Sequence, residues 1–180
     1  MRDLKAYAEQ TLKTIGISKG QTVLDCCCGD GTYTIPAAKL VEKEGIVYAI
    51  DRNDSKLNDL KKKINSENLQ NIKIIEEDVE SGISLPQRVD VVLLYDIFWY
   101  FGPRDKKTEN LLKEVFKLGK ENALISVFPT HTSSNGIDYF KEKMKATGFS
   151  LESEYNRKVV HEDHIEKGKI LNFKKIINTN

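Results

Sequence analysis

At 180 residues with 39% apolar side chains, the chain is long enough to bury one substantial core and short for two ordinary domains, so residues 1–180 read as one domain. Lysine plus arginine (28) nearly balances aspartate plus glutamate (27), a net charge of +1 that gives no global attraction for a polyanion and argues against nucleic acid as the partner. The opening MRDLKAYAEQTLKTIG breaks its apolar residues with charge, so neither a signal peptide nor a membrane span is expected and the protein reads as cytoplasmic.

Apolar residues at helical spacing predict an opening helix over 4–15, and the short run TVLDC predicts a buried strand over 22–26. Next comes CCGDG, in which Gly29 and Gly31 leave room for a ligand to approach the backbone where a Cβ would clash. Cys26, Cys27 and Cys28 are adjacent and the chain has no other cysteine, which excludes a disulfide framework and lacks the C-x-x-C spacing of a structural metal site. Cys26 is therefore read as core, Cys27 as lining the loop and Cys28 as supporting the turn. A helix over 32–44 leads to a strand over 46–50 that ends at Asp51, about 20 residues past the loop, the spacing at which a carboxylate accepts from ribose hydroxyls. The run Arg52-Asn53-Asp54 that follows suits a helix cap equally well.

A helix over 54–65 and a strand over 72–75 bring in IKIIEEDVE, where Asp78 also reads as a plain turn residue. The fourth strand, 89–94, runs into LLYDIFWYFGP; a helix over 105–118 and a strand over 123–127 follow, then FPTHTSSNG and a helix over 137–147. FSLESEYNRKVV and GKILNFKKI, joined by the polar HEDHIEK, predict an antiparallel hairpin. The preceding βαβ alternation predicts a parallel sheet covered on both faces.

VLDCCCGDG resembles the first motif of the class I S-adenosylmethionine-dependent methyltransferases, an acidic residue closing the first strand and then a loop like G-x-G-x-G; the likeness extends over nearly the whole chain. Asp25 matches the acidic position, Gly29 and Gly31 the later glycines, and Cys27 stands where the first glycine is usual. A similar Cys-Cys-Gly occurs in some quinone-biosynthesis and related small-molecule methyltransferases. The resemblance implies an α/β, Rossmann-like doubly wound sheet of seven strands in the order 3-2-1-4-5-7-6 with the last strand antiparallel, and S-adenosyl-L-methionine as cofactor. It also implies a cofactor set: Asp25, Cys27, Cys28, Gly29 and Gly31 in the loop, Asp51 and Arg52 at the ribose, Asp78 at the adenine amino group with Val79 against the ring, and Tyr95 at the methionine end.

Methyl transfer from a sulfonium is an in-line displacement that needs an aligned lone pair, exclusion of water and, for some acceptors, removal of a proton. Asp96 is a candidate for orientation or base catalysis; His131 is a candidate base or an exposed loop residue. Trp99 and Tyr100 wall an acceptor pocket or enter the core, and Leu4, Tyr7 and Phe101 are candidate lid residues. His161, Asp163 and His164 are read as polar residues of the hairpin connection, with no metal expected. Little chain lies outside the core elements, which favours a small-molecule acceptor and a monomer or homodimer. Methylation of RNA or protein is the alternative among enzymes, although YDIF departs from the Asn/Asp-Pro-Pro-aromatic motif of base amino-group methylation. An NAD-dependent oxidoreductase would want a third glycine where Thr34 stands. Cys27, together with a GKEN turn where relatives often have Pro-Gly-Gly, leaves a catalytically silent cofactor-binding subunit open.

Overall fold

Short, doubly buried Val/Ile runs and amphipathic helices alternate along the chain, and the only way to cover both faces of such strands is to lay helices on each side. The computed structural model describes residues 4–99 and 102–176. Its elements are α1 (Leu4–Ile15), β1 (Thr22–Cys26), α2 (Thr34–Val41), β2 (Ile46–Asp51), α3 (Asp54–Ser66), β3 (Ile72–Glu76), β4 (Val89–Tyr95), α4 (Lys106–Leu118), β5 (Gly119–Phe128), α5 (Ser134–Thr147), β6 (Phe149–His161) and β7 (His164–Lys175). Seven strands form one sheet in the order β3-β2-β1-β4-β5-β7-β6, with β7 antiparallel to both of its neighbours. That is the doubly wound order the resemblance implies.

Alternation of side chains along each strand separates two cores. Val47, Val91 and Leu93 turn toward α1 and α2, where Leu12, Ala38 and Val41 meet them. Tyr48, Ile50, Val92 and Leu94 turn the other way, onto Leu111, Leu112 and Val115 of α4 and Phe140 and Met144 of α5. Leu57 and Leu60 of α3 close a smaller cluster over Ala49, Cys28 and Ile35. Burial on this scale, about 1.5 to 3 kcal/mol for each fully buried aliphatic or aromatic side chain, holds the layers together.

Four elements differ by two or more residues from the sequence expectation; for α5 the cause is Ser133, whose cap starts the helix at Ser134 rather than 137. Helix α2 is shorter than 32–44 because Gly31 still bonds back to Cys28 O (3.0 Å) and Glu42 leaves helical geometry at φ 57°. GKEN is not a simple turn: Gly119 already pairs with Val89, and the register then jumps to Val91 with Leu124, an irregularity that absorbs the extra residues. The hairpin is longer than its apolar runs, since pairing continues to His161 with His164 and leaves a two-residue connection, Glu162-Asp163.

Candidate functional site

The carboxyl ends of β1 to β5 share one edge of the sheet, where an open α/β fold forms its ligand crevice. On the β1–β3 side the chain leaves β1 through three left-handed residues, Cys27 (φ 58°), Gly29 (φ 55°) and Gly31 (φ 86°). For Cys27 that conformation costs about 1–2 kcal/mol, since it crowds the Cβ of an L residue. A Cβ on Gly31 would run into the side chain of Leu60, whereas one on Gly29 would meet open space. Gly31 therefore serves packing against α3 and Gly29 leaves the backbone approachable.

Three carboxylates order this half. Asp25 is 3% exposed, accepts a 2.6 Å bond from the Thr34 hydroxyl, and is pushed up from 3.8 to about 7 by burial, with the Asp51 charge adding and Thr34 opposing. Asp51 ties the loop to β2: Oδ2 accepts from Gly29 N–H and Oδ1 from Asn53 N–H, both at 2.8 Å. The cap of α3 is Asn53, whose side chain accepts from Lys56 N–H, so capping does not consume Asp51. Asp78, just past β3, accepts from Glu80 N–H and from Arg52 Nη1, each at 3.0 Å; the Glu80 N–H first and Arg52 after it hold its carboxyl below the usual range. Val79 is buried beside it, and Cys27, Asp51, Arg52, Asp78 and Val79 line one narrow recess.

The cysteines are not activated. Burial, reinforced by the Asp51 and Asp25 charges, pushes the Cys27 thiol up to about 12, and burial raises Cys26 and Cys28 as well. Protonated thiols are poor nucleophiles and poor metal ligands. Cys26 packs in the core, and Cys28 anchors the loop by donating its N–H to Ile50 O at 2.9 Å.

The β4–β6 side is assembled over long sequence separations. Tyr95, 5% exposed, shares a 2.9 Å hydrogen bond with Ser126 and meets Tyr33 edge-on at 4.6 Å. Tyr33 in turn donates its hydroxyl to Val160 O (2.7 Å) and accepts from Val160 N–H (3.2 Å), fixing the end of β6 over the crevice. Asp96 (φ 61°) and His131 (φ 54°) are both left-handed, and the Thr130 hydroxyl donates to Asp96 Oδ1. His131 Nε2 stands 3.2 Å from Asp96 Oδ1, and His161 Nε2 stands 3.3 Å from Asp96 Oδ2. The solvated-loop reading of the hairpin histidines is corrected for His161: it ends β6, its side chain is 11% exposed, and it joins Asp96. Asp163 is open to solvent and His164 half exposed. The Trp99 side chain, Tyr100 and Phe101 lie outside the described residues.

A crevice of about 410 Å³ unites the two sides, lined by Asp25, Cys27, Gly29, Tyr95, Asp96 and His161 among others. Beside it an apolar hollow of about 550 Å³ opens between Leu4 of α1, Ile35 and Pro36 of α2 and Val160 of β6; Tyr7 packs in the adjoining core instead. The larger depression near α4, about 710 Å³, shares Val79 and Glu80 with the narrow recess at Asp78 but otherwise lies between α4 and α5, where the Lys143–Glu109 ion pair crosses it, so size does not mark the site. Sequence reasoning missed His161, Tyr33 and Thr130; for His161 the usable signal was KVVH, where two consecutive buried valines lead straight into the histidine.

The family described as "Methyltransferase domain" matches residues 17–174. The chain belongs to the class I S-adenosylmethionine-dependent methyltransferases. That family uses S-adenosylmethionine as its cofactor. The demethylmenaquinone methyltransferase of Lactobacillus johnsonii is 30% identical over 145 residues, 75% of this chain and 57% of that protein. The chain thus spans a little over half the length of this relative. Among solved structures, a SAM-dependent methyltransferase from Aquifex aeolicus has a TM-score of 0.73 at 22% identity, covering 96% of this chain and 92% of that one. The magnesium protoporphyrin IX methyltransferase of Synechocystis PCC 6803, solved with bound SAM, has a TM-score of 0.68 at 15% identity, covering 95% and 79%. Both likenesses concern the fold. Among the described residues, no helix is long and apolar enough to cross a membrane.

The residues present suit the cofactor. Its ribose hydroxyls and adenine amine are hydrogen-bond donors, and the edge of the sheet offers carboxylate acceptors, Asp51 and Asp78, in succession beside the backbone opening at Gly29. Each Asp51 oxygen already accepts one N–H and retains a second lone pair.

Proposed function

We propose that this chain, as one domain, transfers a methyl group from S-adenosylmethionine to a small-molecule acceptor bound beside Asp96. The observation that carries the reading is the crevice in which Asp25 and the open glycine loop face Asp96 and His161, with His131 completing that cluster and Asp51 and Asp78 in an adjoining recess that shares Cys27 with it. Asp51 and Arg52 hold the ribose end, Asp78 and Val79 the adenine, and Asp25, Cys27, Cys28, Gly31 and Tyr95 shape the loop and the methionine end. When bound, the cofactor supplies an electrophilic methyl carbon on a cationic sulfur. Asp96, His131 and His161 orient the acceptor and take its proton, while Tyr95 and Phe128 keep water from the approach path. With the cofactor bound, the acceptor would take the methyl carbon as its bond to sulfur broke, leaving S-adenosylhomocysteine.

Two features support a small acceptor. The apolar hollow beside the crevice admits a ring-sized compound, and the likeness to the demethylmenaquinone methyltransferase of Lactobacillus johnsonii makes quinone-type rings the first compounds to assay. Calorimetric titration with S-adenosylmethionine, S-adenosylhomocysteine and NAD tests the cofactor reading: the first two should saturate one site and NAD should not bind. Asp51→Ala and Asp78→Ala should each weaken S-adenosylhomocysteine by about 1–3 kcal/mol, the cost of a lost polar partner. Unchanged affinity in both variants would remove the ribose and adenine assignments.

A further inference from the structure

The acceptor end of the crevice holds an arrangement that acid–base chemistry alone does not account for. Asp96 follows β4, His131 follows β5 and His161 ends β6, and one ligand atom from each converges on a common point. The two imidazole Nε2 atoms are 3.2 Å apart, and they stand 3.2 and 3.3 Å from the Asp96 carboxylate. A neutral imidazole carries at most one hydrogen on Nε2. Two hydrogens at most therefore serve three close contacts, and doubly charged rings would turn N–H against N–H. A cation between the two nitrogens and the carboxylate, whose Oδ1 faces His131 and Oδ2 faces His161, satisfies every contact at once. The spacing suits one, because ligands about 2.1 Å from a divalent ion are roughly 3.0–3.4 Å from each other in octahedral or tetrahedral geometry.

The surroundings orient these donors inward. His161 Nδ1 faces Glu166 Oε1 at 3.5 Å, which turns Nε2 to the cluster, and the Thr130 hydroxyl bonds to Asp96. Outer partners of this kind direct histidine and carboxylate ligands in metal sites. Asp96 and His131 are both held at positive φ, a conformation that non-glycine residues seldom adopt and that concentrates at functional sites. Charge does not oppose a cation: Asp96 and Glu162 line the crevice with Lys56, while Asp30 is paired with Lys63 at 2.7 Å and burial favours the protonated form of Asp25. The neighbouring group of His161, His164 and Glu166 is looser, with contacts of 3.5 and 3.6 Å, and the cysteine thiols stay protonated.

We propose that Asp96, His131 and His161 bind a divalent transition-metal ion of the zinc class, whose remaining positions face the crevice and take an oxygen of the acceptor. Two imidazoles and one carboxylate suit zinc and its first-row neighbours better than magnesium or calcium, which prefer all-oxygen shells. Three protein ligands leave a position for substrate. This acceptor role rests on the methyltransferase reading. A hydroxyl coordinated there releases its proton to water, because the ion lowers its pKa, and His131 is then a ligand rather than a base. The oxyanion stays fixed toward the methyl carbon; as the acceptor–methyl bond forms, the methyl–sulfur bond breaks and its electron pair remains on sulfur.

The test uses the full chain, freed of metal with a chelator and titrated with zinc chloride by calorimetry and with cobalt(II) by visible absorption. One equivalent should bind, with ligand-field bands of nitrogen and oxygen ligation and no intense thiolate band. His161→Ala and Asp96→Asn should weaken zinc by roughly 100-fold or more, and Glu166→Gln, outside the ligand set, by roughly 10-fold. Absence of stoichiometric binding, a thiolate band that places the ion on Cys27, or unchanged affinity in the variants would overturn the site. Should His161→Ala fail to fold, the wild-type cobalt spectrum and Glu166→Gln decide. S-adenosylhomocysteine titrated into the same samples separates the two readings: its binding without zinc binding removes the ion alone, and the reverse result removes the methyltransferase reading and leaves an ion site.

Discussion

The two sides of the crevice are built on different principles. On the β1–β3 side, carboxylates are spent on nearby backbone: Asp51 on Gly29 and Asn53, Asp78 on Glu80, and Asp25 on the hydroxyl of Thr34. Each turn there carries its own partner, so the cofactor side is largely shaped once adjacent strands pair. On the β4–β6 side, Thr130 and His131 reach Asp96 across the β4–β5 pair, and His161 reaches it only after the terminal hairpin has docked. The difference teaches where sensitivity should fall. Substitutions on the first side should move stability and cofactor affinity together, whereas those on the second should disturb the acceptor end and spare the cofactor.

Asp25 offers the largest expected effect and the sharpest check on the first half of that contrast. Its carboxyl titrates near 7 in the fold against an ordinary value of 3.8. The native protein thus holds a proton that the unfolded chain has already released across that window, and stability falls as pH rises from about 4 to about 7. At 1.36 kcal/mol per pKa unit the difference is on the order of 4 kcal/mol. Asp25→Asn keeps an oxygen for Thr34 and removes the titration. Urea unfolding should find the variant more stable above pH 7 by about that amount, with the gain vanishing toward pH 4. The same variant should bind S-adenosylmethionine more weakly, since a carboxylate near the cationic sulfur is lost. Parallel pH profiles for the two proteins would mean that Asp25 is not a buried, reluctant acid.

Tyr33 is where the contrast is easiest to break, because its hydroxyl joins the glycine loop to Val160 across 127 positions. Tyr33→Phe leaves the Val160 N–H and C=O without their partner, a cost of about 1–3 kcal/mol. His161, the next residue, should lose its fixed place beside Asp96. Turnover and zinc affinity should fall while S-adenosylhomocysteine affinity changes little. Equal losses in cofactor and acceptor functions would show that the two sides are one cooperative unit.

That division also explains what was legible in the chain. The strands and the positions of Asp25, Asp51 and Asp78 could be read because each carboxylate lies at or just past the end of a short apolar run, while the strand order followed from the resemblance of VLDCCCGDG to the methyltransferase motif. Cys27 could be matched to a glycine position, and its φ of 58° gives the physical content of that match. His161 could not be placed the same way. Polar turn chemistry ends a hairpin strand early, but cross-strand pairing carries β6 one residue past Val160 to His161 and starts β7 at His164, four residues before Gly168. Only tertiary pairing sets that boundary. His131 could be located on the right loop, while its partner, reached through an unusual backbone angle, required the fold.

The smallest predicted effect concerns Arg52, at the outer rim of the cofactor side. Its guanidinium bonds to Asp78 at 3.0 Å, but the arginine side chain is 55% exposed and the carboxylate 33%. Solvent screens such a pair, and its contribution should stay within about 0–1 kcal/mol. Asp78 keeps the Glu80 N–H without it, which is the larger reason its carboxyl sits below the usual range. Because that folded-state value is depressed, the stability tied to ionised Asp78 is present above about pH 4 and fades as pH falls through the lowered value. Arg52→Ala should therefore shift the urea midpoint slightly at neutral pH, less at high salt, and hardly at all in acid. Its cofactor affinity should fall more than its stability, because a rim that contributes little to folding is free to be remade around a ribose. A stability loss of about 2 kcal/mol or more would instead make this rim part of the scaffold, and the ribose edge would have to be sought at Asp51 alone.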